Sequence, residues 1–212
     1  MPTKSYQPID VLRLLEPPTA SDLAEINPYF RQTGQLHSKH GYILKRQIQA
    51  HTTVRTLVES LQACQHPHTC RILCELLGQR RARSAIPSLL ACLTHPDAGV
   101  RYEAADALAK IRQPATGPIL MHHLASESDI DVQAMLVLAI GAVGYRPAIS
   151  RLIDALSATE AQLRGSAAWS LGALRACEAY PALEHALRQE TEVYPREQIA
   201  HALAACSSES IE

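Results

Sequence analysis

Aromatic residues make up only 4% of the 212-residue chain, with a single Trp and a single Phe. A β-sandwich or barrel builds its core from aromatic and β-branched side chains, so this scarcity argues against both. Charge of one sign is also missing. The formal net charge of -1 gives no general attraction to nucleic acid or to an anionic membrane. No stretch approaches the roughly 18 consecutive apolar residues that span a bilayer. The N-terminal MPTKSYQPIDVLRLL lacks the apolar core and small-residue cleavage site of a signal peptide. The six cysteines contain no CxxC pair and follow no small disulfide framework. There is no P-loop and no G-x-S-x-G, and Gly141 and Gly144 of AIGAVGYR follow no strand pattern, which excludes a dinucleotide loop. These absences lead to the expectation of a soluble cytoplasmic protein with free thiols, no membrane association and no resident cofactor.

What the chain does have is apolar volume, 47% against 19% charged residues, enough to bury a core. Much of that volume is Leu and Ala, which favour helix. The segments CRILCELLG, RYEAADALA, QAMLVLAIG, RGSAAWSLG and REQIAHALA superimpose, ending at Gly78, Ala109, Gly141, Gly172 and Ala204, with spacings of 31, 32, 31 and 32. A second ruler, Leu93, Leu124, Leu156 and Leu187, repeats at 31, 32 and 31, and Leu61 extends it one step earlier. Two independent rulers with one period define a repeat array.

Each unit reads as two helices. In the first, Val100, Ala104, Leu108 and Ile111 form one stripe at helical spacing, and small residues such as Ala104, Ala105, Ala167 and Ala168 allow close helix approach. In the second, Leu89, Leu120, Leu152 and Leu183 precede the terminal leucines by four. Pro87, Pro118 and Pro181 fall near the helix starts, where a missing N–H costs little. A ladder of acids, Asp97, Asp129, Glu160 and Glu192, stands four residues before Arg101, Gln133, Arg164 and Arg196. It suits helix N-termini, and pairing within or between repeats would pin the stack. The fold expected is all-α, a right-handed α-solenoid of stacked antiparallel helix pairs in which one unit cannot close a core alone.

A loop acid, then VRYEAADALAKI or LRGSAAWSLGAL, then a Pro-containing second helix, resembles the short HEAT-like repeat of the phycobilisome-lyase type across about residues 64–206. The resemblance implies a HEAT-like solenoid. Among its members are subunits that attach or detach bilins on phycobiliproteins. Some HEAT-like enzymes hold a di-iron centre through His-Glu dipeptides; this chain has none, and Tyr102-Glu103 stands where one would be. Residues 1–35 do not follow the repeat and are expected to cap it or to form an arm. Residues 36–206 form the solenoid, its first pair (36–62) degenerate, and 207–212 a frayed tail.

Four groups are candidate sites. The second helices are expected to line the concave face, which would bring His122, His123, Arg151, Asp154 and His185 together as a binding face. The first helices place Met135, Leu138 and Trp169 opposite the Ala/Leu stripe as an outer apolar patch, and large exposed apolar patches mark interaction sites. Arg80, Arg81, Arg83, Arg112, Arg146 and Arg175 in the turns form a basic edge. Helix C-termini attract cations in any case. Cys64, Cys70 and Cys74 carry soft ligands for a metal, but not at a regular zinc spacing, and no bound metal is expected. The leading functional reading is a non-enzymatic scaffold that binds another protein along the concave groove, with the apolar patch as a second contact or a homodimer surface. The alternatives are a bilin lyase subunit or phycobilisome-degradation factor acting on a phycobiliprotein, and, less favoured by the charge, a nucleic-acid-binding solenoid.

Overall fold

The computed structural model describes residues 53–207. Among them the chain forms ten α-helices and no strand: α1 (Val54–Ala63), α2 (Pro67–Gln79), α3 (Ile86–Cys92), α4 (Ala98–Ile111), α5 (Gly117–Ser126), α6 (Ile130–Ala142), α7 (Ile149–Ala155), α8 (Ala161–Ala173), α9 (Tyr180–Gln189) and α10 (Val193–Ser207). The cap or arm expected of residues 1–35, most of the degenerate first pair and the tail from 208 onwards lie outside the described residues. No described helix is long and apolar enough to cross a membrane.

The even-numbered helices are the first helices of the repeat and the odd-numbered ones the second. The sequence signals act locally as expected. Asp97 accepts a hydrogen bond from the Val100 amide at 3.0 Å, and Asp129 accepts from the Asp131 and Val132 amides at 3.0 and 3.1 Å, so both acids cap their helices. Pro87, Pro118 and Pro181 occupy the first turns of α3, α5 and α9. Each of these second helices is entered through a single 3₁₀ turn, as is α7. The first helices end in a left-handed residue once per repeat: Arg81 (φ 49), Arg112 (φ 55), Gly144 (φ 78) and Arg175 (φ 46). That conformation turns the chain towards the second helix. Leu89, Leu120, Leu152 and Leu183 are buried almost completely, as are Leu108 and Leu171 of the first-helix stripe.

The two layers are spaced differently. The first helices α2, α4, α6, α8 and α10 pack directly on one another, while the second helices pack chiefly on the first helix that follows them. The close approach has a cause in the sequence. A methyl group built on Gly78 would stand 2.7 Å from the Cα of Ala107, and one on Gly141 2.7 Å from the Cα of Ser170. Only a residue without a side chain fits there. The first helices therefore form the closely packed layer of the stack.

The ladder pins the stack through partners other than those expected. Arg101 forks onto Glu127, Nε to Oε2 at 2.7 Å and Nη2 to Oε1 at 2.8 Å; Arg164 does the same to Glu190, at 2.6 and 2.8 Å. Both carboxylates sit in the loop that leads into the next first helix, two residues before the ladder acid (Asp129 and Glu192). Their oxygens also accept backbone N–H groups, from Ser128 and Asp129 and from Thr191 and Glu192. The side chains of Glu127 and Glu190 are only 7% and 4% exposed. The hydrogen bond from Arg164 holds the Glu190 carboxyl down to about 2, and Arg101 likewise lowers Glu127. In the intervening repeats Gln133 and Arg196 donate instead to the backbone oxygens of Glu127 and Glu190.

Candidate binding face

The row of first helices carries a strip of side chains on the closely packed layer, and its chemistry changes along the array. At the N-terminal end it is charged. Arg71 of α2 lies 3.9 Å from Glu103 of α4, and Lys110 pairs with Asp106 one turn along α4. Burial raises the Glu103 carboxyl, as do the nearby Glu75 and Asp106 charges, and burial raises the Tyr102 hydroxyl. The sequence reading missed Arg71, Tyr102 and Glu103 as members of this face, although Asp106 holds the register position of Leu138 and Trp169. At the C-terminal end the strip is aromatic. Trp169 of α8 is 37% exposed, and Val193 and Tyr194 of α10 are 71% and 43% exposed. The Tyr194 ring lies over Gly165, where a methyl group would come within 2.3 Å of it. Gly165 is one helical turn before Trp169, so the two rings share one face of α8.

The middle of the strip corrects the sequence expectation. Met135 is buried, 9% exposed, and Leu138 is partly buried against the core. Of the three residues taken as an outer apolar patch only Trp169 is exposed. The physical reason is that α6 is apolar nearly all round and is flanked by α4 and α8 in the tight layer as well as by second helices. Positions lateral to its stripe are covered.

The second helices carry the predicted polar group. His122, Arg151, Asp154 and His185 are exposed and His123 is half-buried. The His122 and His123 rings meet edge to face with centroids 5.8 Å apart, and burial followed by the His122 charge lowers His123. No hydrogen bond among the described residues joins His122, Asp154 and His185 into a network. The basic edge is in part structural: Arg146 donates to the Glu178 carboxylate at 2.8 Å and to the Leu174 carbonyl at 2.6 Å, tying two repeats together, and Arg80 is half-buried. Arg81, Arg83, Arg112 and Arg175 are exposed.

The cysteines gather at the N-terminal end between α1, α2 and α3. Cys64 caps the C-terminus of α1, Cys70 and Cys74 are buried on α2, and Cys92 ends α3. The Cys64 thiol donates to the His66 carbonyl at 3.4 Å. Among the described residues no group of three or more His, Cys, Asp or Glu side chains is arranged to hold a metal ion.

The HEAT-repeat family model matches residues 54–135 and 117–204. The bilin biosynthesis protein PecE of Mastigocladus laminosus is 30% identical over 123 residues, which is 58% of this chain and 42% of that protein, so the chain spans less than half the relative's length. In the solved complex of CpcE and CpcF of phycocyanin lyase from Nostoc sp. PCC7120, one chain superimposes with a TM-score of 0.57 at 20% identity. The match covers 70% of this chain and 96% of that one, a likeness of fold.

Proposed function

This chain belongs to the HEAT-repeat family, and from that premise we propose that it is a protein-binding solenoid whose partner is a bilin-bearing protein of the phycobiliprotein type, engaged along the exposed face of its first helices. The observation that carries the reading is the aromatic end of that face, where Trp169, Val193 and Tyr194 stand in water on neighbouring first helices. Large apolar side chains left at a surface mark interaction sites, and Trp and Tyr dominate binding hot spots. The choice of partner is supported by the similarity to PecE, a bilin biosynthesis protein. In this reading the chain is a lyase-type or degradation-type subunit whose own contribution is to hold the substrate protein. The exposed His122, Asp154 and His185 on the second helices rank second, because isolated polar groups in water need no partner to explain them.

The test is co-expression of the chain with a phycocyanin subunit, with and without a bilin supply. Co-purification of the two proteins, with bilin-dependent visible absorbance that differs from that of the phycocyanin subunit alone, is expected. Absence of co-purification together with an unchanged spectrum would refute the choice of partner.

A further inference from the structure

The two sets of connections in the repeat carry opposite charge. The loops that lead into α4, α6, α8 and α10 hold acids and no Lys or Arg: Asp97, Glu127, Asp129, Glu160, Glu190 and Glu192. Asp97 and Asp129 are engaged as helix caps, and Glu127 and Glu190 by the forks of Arg101 and Arg164. The turns that leave α2, α4, α6 and α8 hold the arginines of the basic edge and a single acid, Glu178, which Arg146 engages at 2.8 Å. Because the helix pairs are antiparallel and stacked, these turns share one edge of the array, about 8–10 Å apart from one repeat to the next.

Three of these arginines stand where the backbone disfavours them. Arg81 (φ 49), Arg112 (φ 55) and Arg175 (φ 46) take the left-handed position that Gly144 (φ 78) fills in the remaining turn. There a Cβ crowds the following carbonyl oxygen, and glycine avoids the clash. A methyl group on Gly144 would meet nothing within 4 Å, so packing does not call for a side chain at this place. The helix dipole favours a cation near the last turn, but a cation one residue to either side would serve it without the strain. Arg81 and Arg112 are exposed, and their side chains make no hydrogen bond or ion pair among the described residues. A strained backbone kept for side chains that the fold does not use points outside the chain. We propose that this edge is a docking surface for an acidic helix of a partner protein, with Arg81, Arg112 and Arg175 gripping its carboxylates. A planar guanidinium matches a carboxylate fork to fork, as Arg101 and Arg164 already do within the chain. Two turns of helix, about seven residues, advance about 10 Å, so carboxylates two turns apart keep step with successive repeats. Gly144 leaves one step empty. The surface is distinct from the Trp169 face and does not depend on which protein binds there.

The experiment uses the full chain and a fluorescein-labelled, alanine-based helical peptide with glutamates about every seven residues, titrated by fluorescence anisotropy at low and high salt. Three chains are compared: the wild type, the double variant Arg81→Gly, Arg112→Gly, and a control, Arg55→Gln, Arg188→Gln. The control removes the same charge from ion pairs on α1 and α9. Expected is salt-sensitive binding by the wild type and the control, and about tenfold weaker binding by the edge variant. Urea unfolding should find the edge variant at least as stable as the wild type, because glycine accepts the left-handed turn. The proposal is overturned if the wild type does not bind the peptide at low salt, or if the edge variant and the control lose affinity alike. A less stable edge variant would overturn it too, since the arginines would then serve the helix ends. So would a peptide with its glutamates in one block, or single-stranded DNA of equal charge, binding more tightly than the spaced peptide.

Discussion

Adding one methyl group at Gly141 tests whether the first helices are packed as tightly as described. The new Cβ would stand 2.6 Å from both the Cβ and Oγ of Ser170 and 2.7 Å from its Cα. A Cα cannot rotate away, so α6 and α8 must separate. Ser170 is fully buried and its hydroxyl donates to the Val137 carbonyl at 2.9 Å, a bond that the separation would stretch. Replacing Gly by Ala inside a helix gains about 1 kcal/mol. Overpacking costs about 1–3 kcal/mol, and loosening a buried hydrogen bond adds about 1 kcal/mol. The net for Gly141→Ala is a loss of about 1–3 kcal/mol. Gly172 provides the control in the same layer. Its added Cβ would lie 3.1 Å from the Cα of Ala202, so a shift of a few tenths of an ångström relieves it and the helix-propensity gain roughly cancels the cost. Urea unfolding of the two variants, followed by far-UV circular dichroism, gives the comparison. A Gly141→Ala chain as stable as the wild type, or less damaged than Gly172→Ala, would refute the tight-layer argument.

Two further outcomes follow from the packing. Glu190→Gln removes one charge of a pair whose carboxylate side is 4% exposed, and should destabilise the chain by about 3 kcal/mol in chemical unfolding. Because the folded carboxyl is held at about 2, below its ordinary value near 4.3, the pair's stabilisation is complete above that ordinary value. It is lost as pH falls from there towards 2; Glu127, lowered by Arg101, moves the same way. Acid titration of thermal unfolding should therefore show a decline over that window in the wild type and a shallower one in Glu190→Gln. Leu108→Ala at the centre of the array, where the side chain is 1% exposed, should cost about 2–5 kcal/mol by the same unfolding assay.

The repeat and its helix pairs were legible because a fixed period forces the same residue type into the same place: Leu89, Leu120, Leu152 and Leu183 are all core, and three prolines all open second helices. What the sequence hid is set by neighbours rather than by any one helix. A wheel drawn for α6 leaves Met135 in water, because it cannot include the flanks of α4 and α8. The fork between Arg101 and Glu127 recurs at Arg164 and Glu190, two periods on rather than one. A search at one period therefore finds the ladder acids and passes over the buried ones. In the binding face Trp169 was legible from composition alone, being the single Trp. Tyr194 was not, because its place over Gly165 depends on the contact of α8 with α10.

The claim that a partner docks on the first-helix face is tested most directly by measuring the affinity of a phycocyanin subunit for three chains: the wild type, Trp169→Ala, and the double variant His122→Ala, His185→Ala. Trp169 is exposed, so its truncation leaves the core intact, and the loss of a central aromatic anchor of about 2 kcal/mol corresponds to about thirtyfold weaker binding. The account predicts that loss for Trp169→Ala and wild-type affinity for the histidine variant. Unchanged binding by Trp169→Ala with the loss confined to the histidine variant would contradict it and move the site to the second helices.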